Sequence, residues 1–389
     1  MKKVLIIFPL WFILFLFFNC KNNAKHTDIL SDTTITITLT SIDESFQDTS
    51  YFKRPEIIVL ETTDESLLSD RISRIITDDS MLFIFDDMQD QVFVFDLNGK
   101  FINKINKKGQ GPKEYVQICD FAIDKEKKQI ILSADIPAKL MYFSYDCTFL
   151  REESLTSFFS KFVKEGEIIY GDYYMGKGKK QIHIFDFESG LIKERLDMIE
   201  ISNYLGVQGN SLSRGQDVLF VRRYDNSIYE MKNGEMIKKY NVDFKNHSFP
   251  ERFKKEIDEG VIIKESRDKR YIYAMSNAFN SNNYITFYTN MGIFFYDKRN
   301  ETLKGFNKMN NTHLMFVMQR YYYDFDYYLP LENTDKMVFF IEDPYFIKHI
   351  VRHNSDELKK DKDYTELRDI ADKMTDDNNP ILFIYEFKD

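Results

Sequence analysis

Residues 75–124 read IITDDSMLFIFDDMQDQVFVFDLNGKFINKINKKGQGPKEYVQICDFAID, and this stretch decides the fold. Leu82-Phe83-Ile84-Phe85 and Val92-Phe93-Val94-Phe95 are short apolar runs on either side of a polar turn, Asp86–Gln91. Runs of this length, rich in aromatic and β-branched residues and bounded by turn formers, read as strands. Asp96-Leu97-Asn98-Gly99 then turns the chain into Lys100–Ile105, because Asn-Gly readily takes the positive φ angles of a two-residue hairpin loop. Arg71–Thr77 supplies a further strand, and four antiparallel strands make one blade of a propeller.

The pattern returns down the chain. A second copy is Ile130-Ile131-Leu132-Ser133 and Leu140-Met141-Tyr142-Phe143 with a turn at Tyr145-Asp146-Cys147; Phe83 to Ile131 and Val94 to Tyr142 keep one and the same offset. The third is Gly166–Tyr170 with Gln181–Asp186 and a Glu188-Ser189-Gly190 turn. Val218–Val221, Ser227–Met231 and Lys232-Asn233-Gly234 form the fourth, and Tyr284–Tyr288, Ile293–Asp297 and Lys298-Arg299-Asn300 the fifth. The sixth pairs Lys336–Glu342 with Ile381–Phe387 around Ser355–Met374, a charged stretch whose Leu and Ile recur at helical spacing. Pro250–Ile257 reads as another short helix, between the fourth and fifth copies. Residues 51–389 shared among six blades allow about 56 each, and the two insertions account for the excess over the roughly 40–50 of an ordinary blade. The expected fold is all-β: a six-bladed β-propeller of four-stranded antiparallel blades with short helical insertions, five or seven blades being the alternatives. Pro55–Glu61 (PEIIVLE) is expected to pair with the C-terminal blade, which closes the ring and removes an exposed sheet edge.

Composition bounds the function. The 389 residues include 36 Phe and 24 Tyr, mostly in alternating runs that suit pleated strands. The net charge of −9 is spread along the chain, which argues against a nucleic-acid surface. Three cysteines exclude a disulfide scaffold.

Residues 1–20, MKKVLIIFPLWFILFLFFNC, read as an export signal. Lys2 and Lys3 precede an uninterrupted apolar run, Val4–Phe18, which as a helix spans roughly 22 Å against about 30 Å of hydrocarbon core. Cys20 stands where a bacterial lipoprotein carries its acylated cysteine, although Phe17-Phe18-Asn19 departs from the Leu-Ala-Gly type of lipobox. The other reading is a secreted protein with an incidental cysteine. The expected organisation is a signal peptide over 1–19, a lipid-anchored tether over 20–50 and the propeller over 51–389. Within the tether Thr34–Leu39 alternates and is placed to lend a strand to the body. Lys21 rather than Asp after the anchor favours the outer membrane by the enteric sorting rule.

Lys107-Lys108-Gly109-Gln110-Gly111-Pro112-Lys113-Glu114-Tyr115, followed by Phe121-Ala122-Ile123-Asp124, resembles a motif of the six-bladed β-propeller lipoproteins abundant in Bacteroidota. The preceding part of that motif is present as Phe95-Asp96-Leu97-Asn98-Gly99-Lys100. The similarity is dense over 55–150 and thins beyond the second blade. It implies a propeller fold and an envelope location, and it names no reaction.

The same loop admits two uses. As a connector between blades, Gly109 and Gly111 would take backbone angles other residues avoid, Pro112 would fix φ, and Glu114 would accept from the loop's own N–H groups. As a ligand loop, Gln110 and Glu114 would face one mouth of the ring. It lacks the third glycine, the following helix and the Lys-Ser/Thr pair of nucleotide-binding loops. The second candidate is Tyr321-Tyr322-Tyr323-Asp324-Phe325-Asp326-Tyr327-Tyr328. As a strand it would put Tyr322, Asp324, Asp326 and Tyr328 on one face, where aromatic rings beside carboxylates suit a sugar or peptide; the same pattern also suits packing against the next blade.

No catalytic set emerges. His349 and His353 share a chelating spacing but lack the Glu of a zincin helix, and His26, His183, His247 and His313 are scattered. Asp78-Asp79, Asp86-Asp87 and Asp376-Asp377 fall in turns, where Asp caps the backbone. Oxygen ligands cluster at Asp376-Asp377-Asn378-Asn379 without EF-hand spacing. Cys119 and Cys147 are either bridged or two buried thiols. The leading reading is a non-catalytic envelope lipoprotein: a propeller that presents loops to a protein, peptide or glycan, with no cofactor and no metal. The alternative is an envelope lyase or glycosidase with its site at the central channel, which would require titratable residues converging on the axis.

Overall fold

A computed structural model describes residues 34–78, 80–156, 158–173, 180–187, 189–199, 209–255, 258–311, 316–319, 328–341, 347–348, 351, 362–375 and 378–388. The chain is all-β and propeller-like, its sheets built from antiparallel groups of consecutive strands. After β1 (Ile35–Gln47) and β2 (Glu56–Val59) come β3 (Ile72–Thr77), β4 (Met81–Asp86), β5 (Gln91–Asp96) and β6 (Phe101–Ile105). The next group is β7 (Ile118–Asp124), β8 (Gln129–Asp135), β9 (Ala138–Ser144) and β10 (Phe149–Ser154). It is followed by β11 (Lys161–Glu165), β12 (Ile168–Asp172), β13 (Lys180–Asp186) and β14 (Leu191–Asp197). Then come β15 (Leu212–Arg214), β16 (Val218–Phe220), β17 (Ser227–Lys232) and β18 (Glu235–Asp243). Helix α1 (Glu259–Lys269) precedes β19 (Met275–Asn280), β20 (Tyr284–Thr289), β21 (Gly292–Asp297), β22 (Thr302–Asn311) and the short β23 (Phe316–Gln319). The chain ends with β24 (Tyr328–Glu332), β25 (Lys336–Ile341), α2 (Lys362–Lys373) and β26 (Ile381–Glu386).

Burial explains the composition of each position in a group. The middle strands β4 (MLFIFD) and β5 (QVFVFD) are buried along almost their whole length because sheets cover both of their faces. The last strands β6 (FINKI) and β10 (FLREES) are largely exposed and carry the Lys, Arg and Glu. Each group packs on the next through an apolar layer. Phe83, Phe85, Val92 and Val94 meet Phe121, Ile130, Leu132 and Met141. The opposite face of β8 and β9, through Ile131, Leu140 and Tyr142, meets Phe162 and Ile169. Tyr170 and Ile182 meet Val218 and Tyr229, and Leu219 and Ile228 meet Ile285 and Phe287. Phe279 and Tyr288 meet Phe339 and Phe383, and Val338, Phe340 and Leu382 return to Ile84, Phe93 and Phe95 of the first group.

Two N-terminal strands tie the arrangement. Glu56–Val59 pairs antiparallel with β26, so the PEIIVLE segment does add a strand to the C-terminal group. Asn379 reinforces this join, accepting from the Leu68 N–H and donating to the Glu61 and Ser66 carbonyls, each at 2.8 Å. Strand β1 lies parallel between the end of β18 and β22, from Ile35 beside Tyr240 to Gln47 beside Asn310. The alternating Thr34–Leu39 stretch is thus integrated into the body, with Ile37 and Leu39 buried.

The helices differ in detail from the sequence reading. The segment expected as a helix over 250–257 is a short 3-10 turn, Glu251–Lys255, and the α-helix follows it. Asp258 caps α1 by accepting from the Gly260 and Val261 N–H groups, which sets the later start. Within 355–374, the described helix is α2. Among the described residues no helix is long and apolar enough to cross a membrane.

Candidate functional site

The Gly109–Tyr115 loop joins the outer strand β6 to β7, and its chemistry is directed inward. Glu114 Oε2 accepts from the Gly111 N–H at 2.7 Å, and the Gly109 N–H donates to the Tyr115 carbonyl at 2.9 Å. Tyr115 is fully buried, its hydroxyl donating to the Asp90 carbonyl at 2.7 Å and accepting from the Lys107 N–H at 3.1 Å. The expectation that Gly109 and Gly111 take backbone angles other residues avoid is not met at positive φ: among the loop residues it is Lys113, at φ 64°, that adopts one. The glycines are needed for closeness, since a Cβ on Gly109 would stand 2.0 Å from Glu114 Oε2. Gln110 is exposed and Glu114 is half-buried against its own loop.

Of the tyrosine-rich cluster, Tyr322, Asp324 and Asp326 lie outside the described residues. Tyr328 opens β24 and packs against Phe339 and Tyr288, ring centroids 4.8 and 6.1 Å away. Burial pushes its hydroxyl above the ordinary tyrosine range. The structure does not bring Tyr328 into contact with Gln110 or Glu114. Cys20, His26, His313, His349, His353, Asp79, Asp376 and Asp377 also lie outside the described residues.

The remaining candidates have local roles. Asp86 accepts from Ser69 and from the Gln89 N–H, and Asp78 caps Ser80 and Met81. His183 packs tilted against Tyr173, ring centroids 4.0 Å apart, and His247 Nδ1 lies 3.0 Å from the Arg270 carbonyl. Cys119 and Cys147 are free thiols, both pushed up to about 12, chiefly by burial. No cluster of His, Cys, Asp and Glu among the described residues could hold a metal.

Two polar constellations instead gather at the first strands of the groups. The first is centred on Arg74, 1% exposed. β-Bulges between Ile72 and Arg74 in β3 and between Ile118 and Asp120 in β7 redirect both side chains inward. Arg74 Nη1 donates to Asp120 Oδ2 at 2.6 Å and to the Phe121 and Phe162 carbonyls, and Nη2 donates to the Leu212 carbonyl at 2.5 Å. Arg74 Nε lies 3.2 Å from Glu332 Oε1, within ion-pair range but misaligned for a hydrogen bond. One guanidinium thereby touches β7, β11, β15 and β24 from its place on β3. Burial pushes Glu332 up to about 7, Arg74 working against the rise and Asp120 with it. The cluster is sealed from solvent.

The second constellation lines an open cavity of about 180 Å³. Its walls are the entries to β11 (Ser160, Lys161), β15 (Gly209, Ser211) and β19 (Met275, Ser276), the end of β12 (Asp172), Gln181 of β13, and Val221, Arg222 and Arg223 after β16. Asp172 is buried and accepts from Ser211 Oγ at 2.6 Å and from Gln181 Nε2 at 3.1 Å. Burial pushes it up to about 6, against those two hydrogen bonds and the fields of Arg222 and Lys161. Arg222 pairs with Asp225 at 2.9 Å and donates to Gln181 Oε1 and the Asp197 carbonyl. A bulge after Ser276, with Asn277 at φ 48°, shapes the far wall.

None of these wall residues stood out in the sequence. The available signal was a charge inside an otherwise apolar strand: Arg74 in ISRIIT, Asp120 in ICDFAID, Asp172 closing IIYGD and Glu332 closing YLPLE.

A family profile described as a domain of unknown function, DUF4934, matches residues 33–386. A candidate exported protein of Bacteroides fragilis NCTC 9343 has a similar crystal structure: TM-score 0.71 at 17% identity, over 91% of this chain and 100% of that one. A DUF4221 family member from Bacteroides vulgatus gives 0.48 at 9% identity, over 87% of this chain and 98% of that one. BamB from Moraxella catarrhalis gives 0.38 at 12% identity, over 74% and 72%. No curated protein matches the sequence.

Proposed function

From the premise that the chain belongs to the DUF4934 family, whose description names no reaction, we propose that it is a non-catalytic binding module of the cell envelope. In this reading the fold is a propeller of six four-stranded blades: β3–β6, β7–β10, β11–β14, β15–β18, β19–β22, and β24–β26 completed by β2. The strand order and the apolar layers between successive groups support that count. Residues 1–19 are a signal peptide, Cys20 carries the lipid, and the chain up to β1 is the tether to the outer membrane. The charge and apolar patterning of the first twenty residues supports this, as does the likeness to a candidate exported protein.

The ligand, a protein, peptide or glycan, is taken at the mouth formed by the entries to the inner strands. The cavity there carries the reading, because it offers hydroxyl, amide, ammonium and guanidinium groups at one open end. Gln110, on the approach to β7, and Tyr322, Asp324 and Asp326, on the approach to β24, enter the proposal as further contacts at that mouth.

The enzymatic alternative has one observation in its favour, the raised carboxyl of Asp172. Glycoside hydrolysis ordinarily needs a second carboxyl across the bond. Among the described residues Asp172 is the only acid on the cavity wall, and Glu332 is paired with Arg74 and does not line the cavity. The test is a glycan and peptide array probed with the purified protein, repeated with a Ser211→Trp variant whose ring, carried by a half-buried wall residue, occupies the cavity and whose melting temperature is checked alongside. Binding lost in the variant supports the mouth; binding unaffected by it removes the cavity from the proposal.

A further inference from the structure

We infer that the cavity between β11, β15 and β19 receives a carboxylate group of its ligand, held by the Lys161 ammonium and the Ser276 hydroxyl. This rests on the reading of that mouth as the binding face and adds the chemical class of what enters it.

The argument is one of charge and of unused hydrogen-bonding capacity. Three cationic side chains, Lys161, Arg222 and Arg223, meet one acidic wall residue, Asp172. Arg222 is matched by Asp225. Asp120 is already engaged by Arg74 and by the Phe162 N–H, at 2.6 and 2.8 Å. Lys161 reaches Asp120 only at 3.8 Å, the outer limit of an ion pair. Asp172 and Asp87 act on it at longer range, so among the described residues its ammonium has no closer ion pair. Ser276 supplies the second observation: it is 4% exposed, lines the cavity, and its Oγ has no hydrogen-bond partner among the described residues. A buried hydroxyl left unpaired costs free energy that an incoming acceptor removes. Gly209, at φ 114°, packs closely beside it, and a Cβ there would stand 2.6 Å from Ser276 Oγ and crowd it. An acceptor-only anion fits an ammonium and a free hydroxyl together.

Asp172 makes the site pH-dependent. It faces Lys161 from β11, Gln181 from β13, Ser211 before β15 and Arg222 after β16. When it protonates, the one negative charge among the described wall residues is gone, so carboxylate binding tightens as pH falls through the range near 6.

Two sources of the carboxylate are separable: an acidic sugar and a peptide C-terminus. Isothermal titration of the full-length protein with sodium glucuronate and with N-acetylalanine tests both, against glucose and N-acetylalanine amide as neutral partners. The expected result is binding of at least one carboxylate, stronger at pH 5.5 than at 7.5, and at least tenfold weaker in Lys161→Met. Ser276→Ala, which buries no new polar group, weakens it several-fold with the melting temperature preserved. Neutral probes binding as well as charged ones, and lost in Ser211→Trp, would overturn the carboxylate while leaving the mouth as the binding face. Charged probes whose affinity ignores both Lys161→Met and Ser276→Ala would likewise overturn it. No binding of any of the four probes would also count against it, and the array with Ser211→Trp then decides separately whether the mouth binds anything.

Discussion

Arg74 and Asp120 occupy matching places in successive strand groups, each directly after a β-bulge, and their side chains meet at 2.6 Å with neither exposed to solvent. The bulge converts a residue that the pleat would direct into the layer between sheets into one that points where the first strands converge. The pair is worth less as an attraction than its loss would cost. Desolvating both ions offsets much of their Coulomb energy, but removing one leaves the other buried and unanswered. Arg74→Met strands Asp120 and Glu332 together and is expected to destabilise the fold by about 3–5 kcal/mol. Urea denaturation measures this, and a loss under about 1 kcal/mol would mean the cluster is more hydrated than its burial indicates.

Glu332 and Asp172 give the stability a pH dependence of definite sign. Their ordinary values are 4.5 and 3.8, and burial raises them to about 7 and about 6. The folded state thus holds these protons more tightly than the unfolded chain, so their contribution is complete below about pH 4 and is lost as pH rises through 6 and 7. Asp78, Asp124 and Asp225 run the other way. In each, burial pushes upward but is outweighed, by Ser80, Lys128 and Met81 at Asp78, by Lys164 and Lys127 at Asp124, and by Arg222, Ser227 and Tyr229 at Asp225. Their contribution is present above the ordinary Asp value and is lost only in more acid solution. The melting temperature should therefore be highest near pH 5 and decline toward pH 8. Glu332→Gln should flatten the decline, and an unchanged slope would exclude Glu332 as its source.

The join of β26 to β2 is expected to make the fold all-or-none. β26 sits between β25 and β2, and the bridge from Phe52 to Phe387 extends the contact. Deleting residues 381–388 opens the edges of β25 and β2 at once, so it should abolish the cooperative transition. A truncated protein that still melts cooperatively would show that closure is dispensable. Asn379→Ala is the milder probe: three buried hydrogen bonds at about 1 kcal/mol each give an expected loss of about 2–4 kcal/mol.

Anchoring has a direct readout. If Cys20 is acylated, Cys20→Ala should move the protein from the membrane fraction to the soluble one and remove the acyl mass from the mature N-terminus. Retention in the membrane without that mass would end the lipoprotein proposal.

The strands were legible because their signals are local. Val92–Phe95 and its kin are short, aromatic and closed by turns at Asn98-Gly99 and Asn233-Gly234, where Gly99, Asn233 and Gly234 take the positive φ values. The adding of β2 to the C-terminal group was legible too, since an apolar PEIIVLE segment outside any complete copy needs a partner. The cavity was not. Ser160, Asp172, Ser211 and Ser276 come from segments spread over more than a hundred residues of chain, and each looks like ordinary turn punctuation by itself. Arg74 was equally hidden, because a single charge in a strand reads as a solvent-facing position until a bulge turns it inward. The glycine loop was half legible: Glu114 does cap its own loop, but the glycines serve close approach rather than unusual angles.

That distinction can be measured at Gly109. Its Cβ would collide with the Glu114 carboxylate, the mobile end of a flexible side chain, so an alanine there displaces the carboxylate rather than the backbone. The displaced group gives up its hydrogen bond from the Gly111 N–H, a loss of about 1–2 kcal/mol for a charge-assisted bond at a half-exposed site. Glu114→Ala should cost a similar amount for the same reason. With Glu114 already gone, Gly109→Ala has nothing to strike and should cost little, so the two changes together fall short of their sum by roughly 1 kcal/mol. Strict additivity in that double-mutant cycle would mean that the glycine is required for its backbone angles after all, and that the contact with Glu114 is incidental.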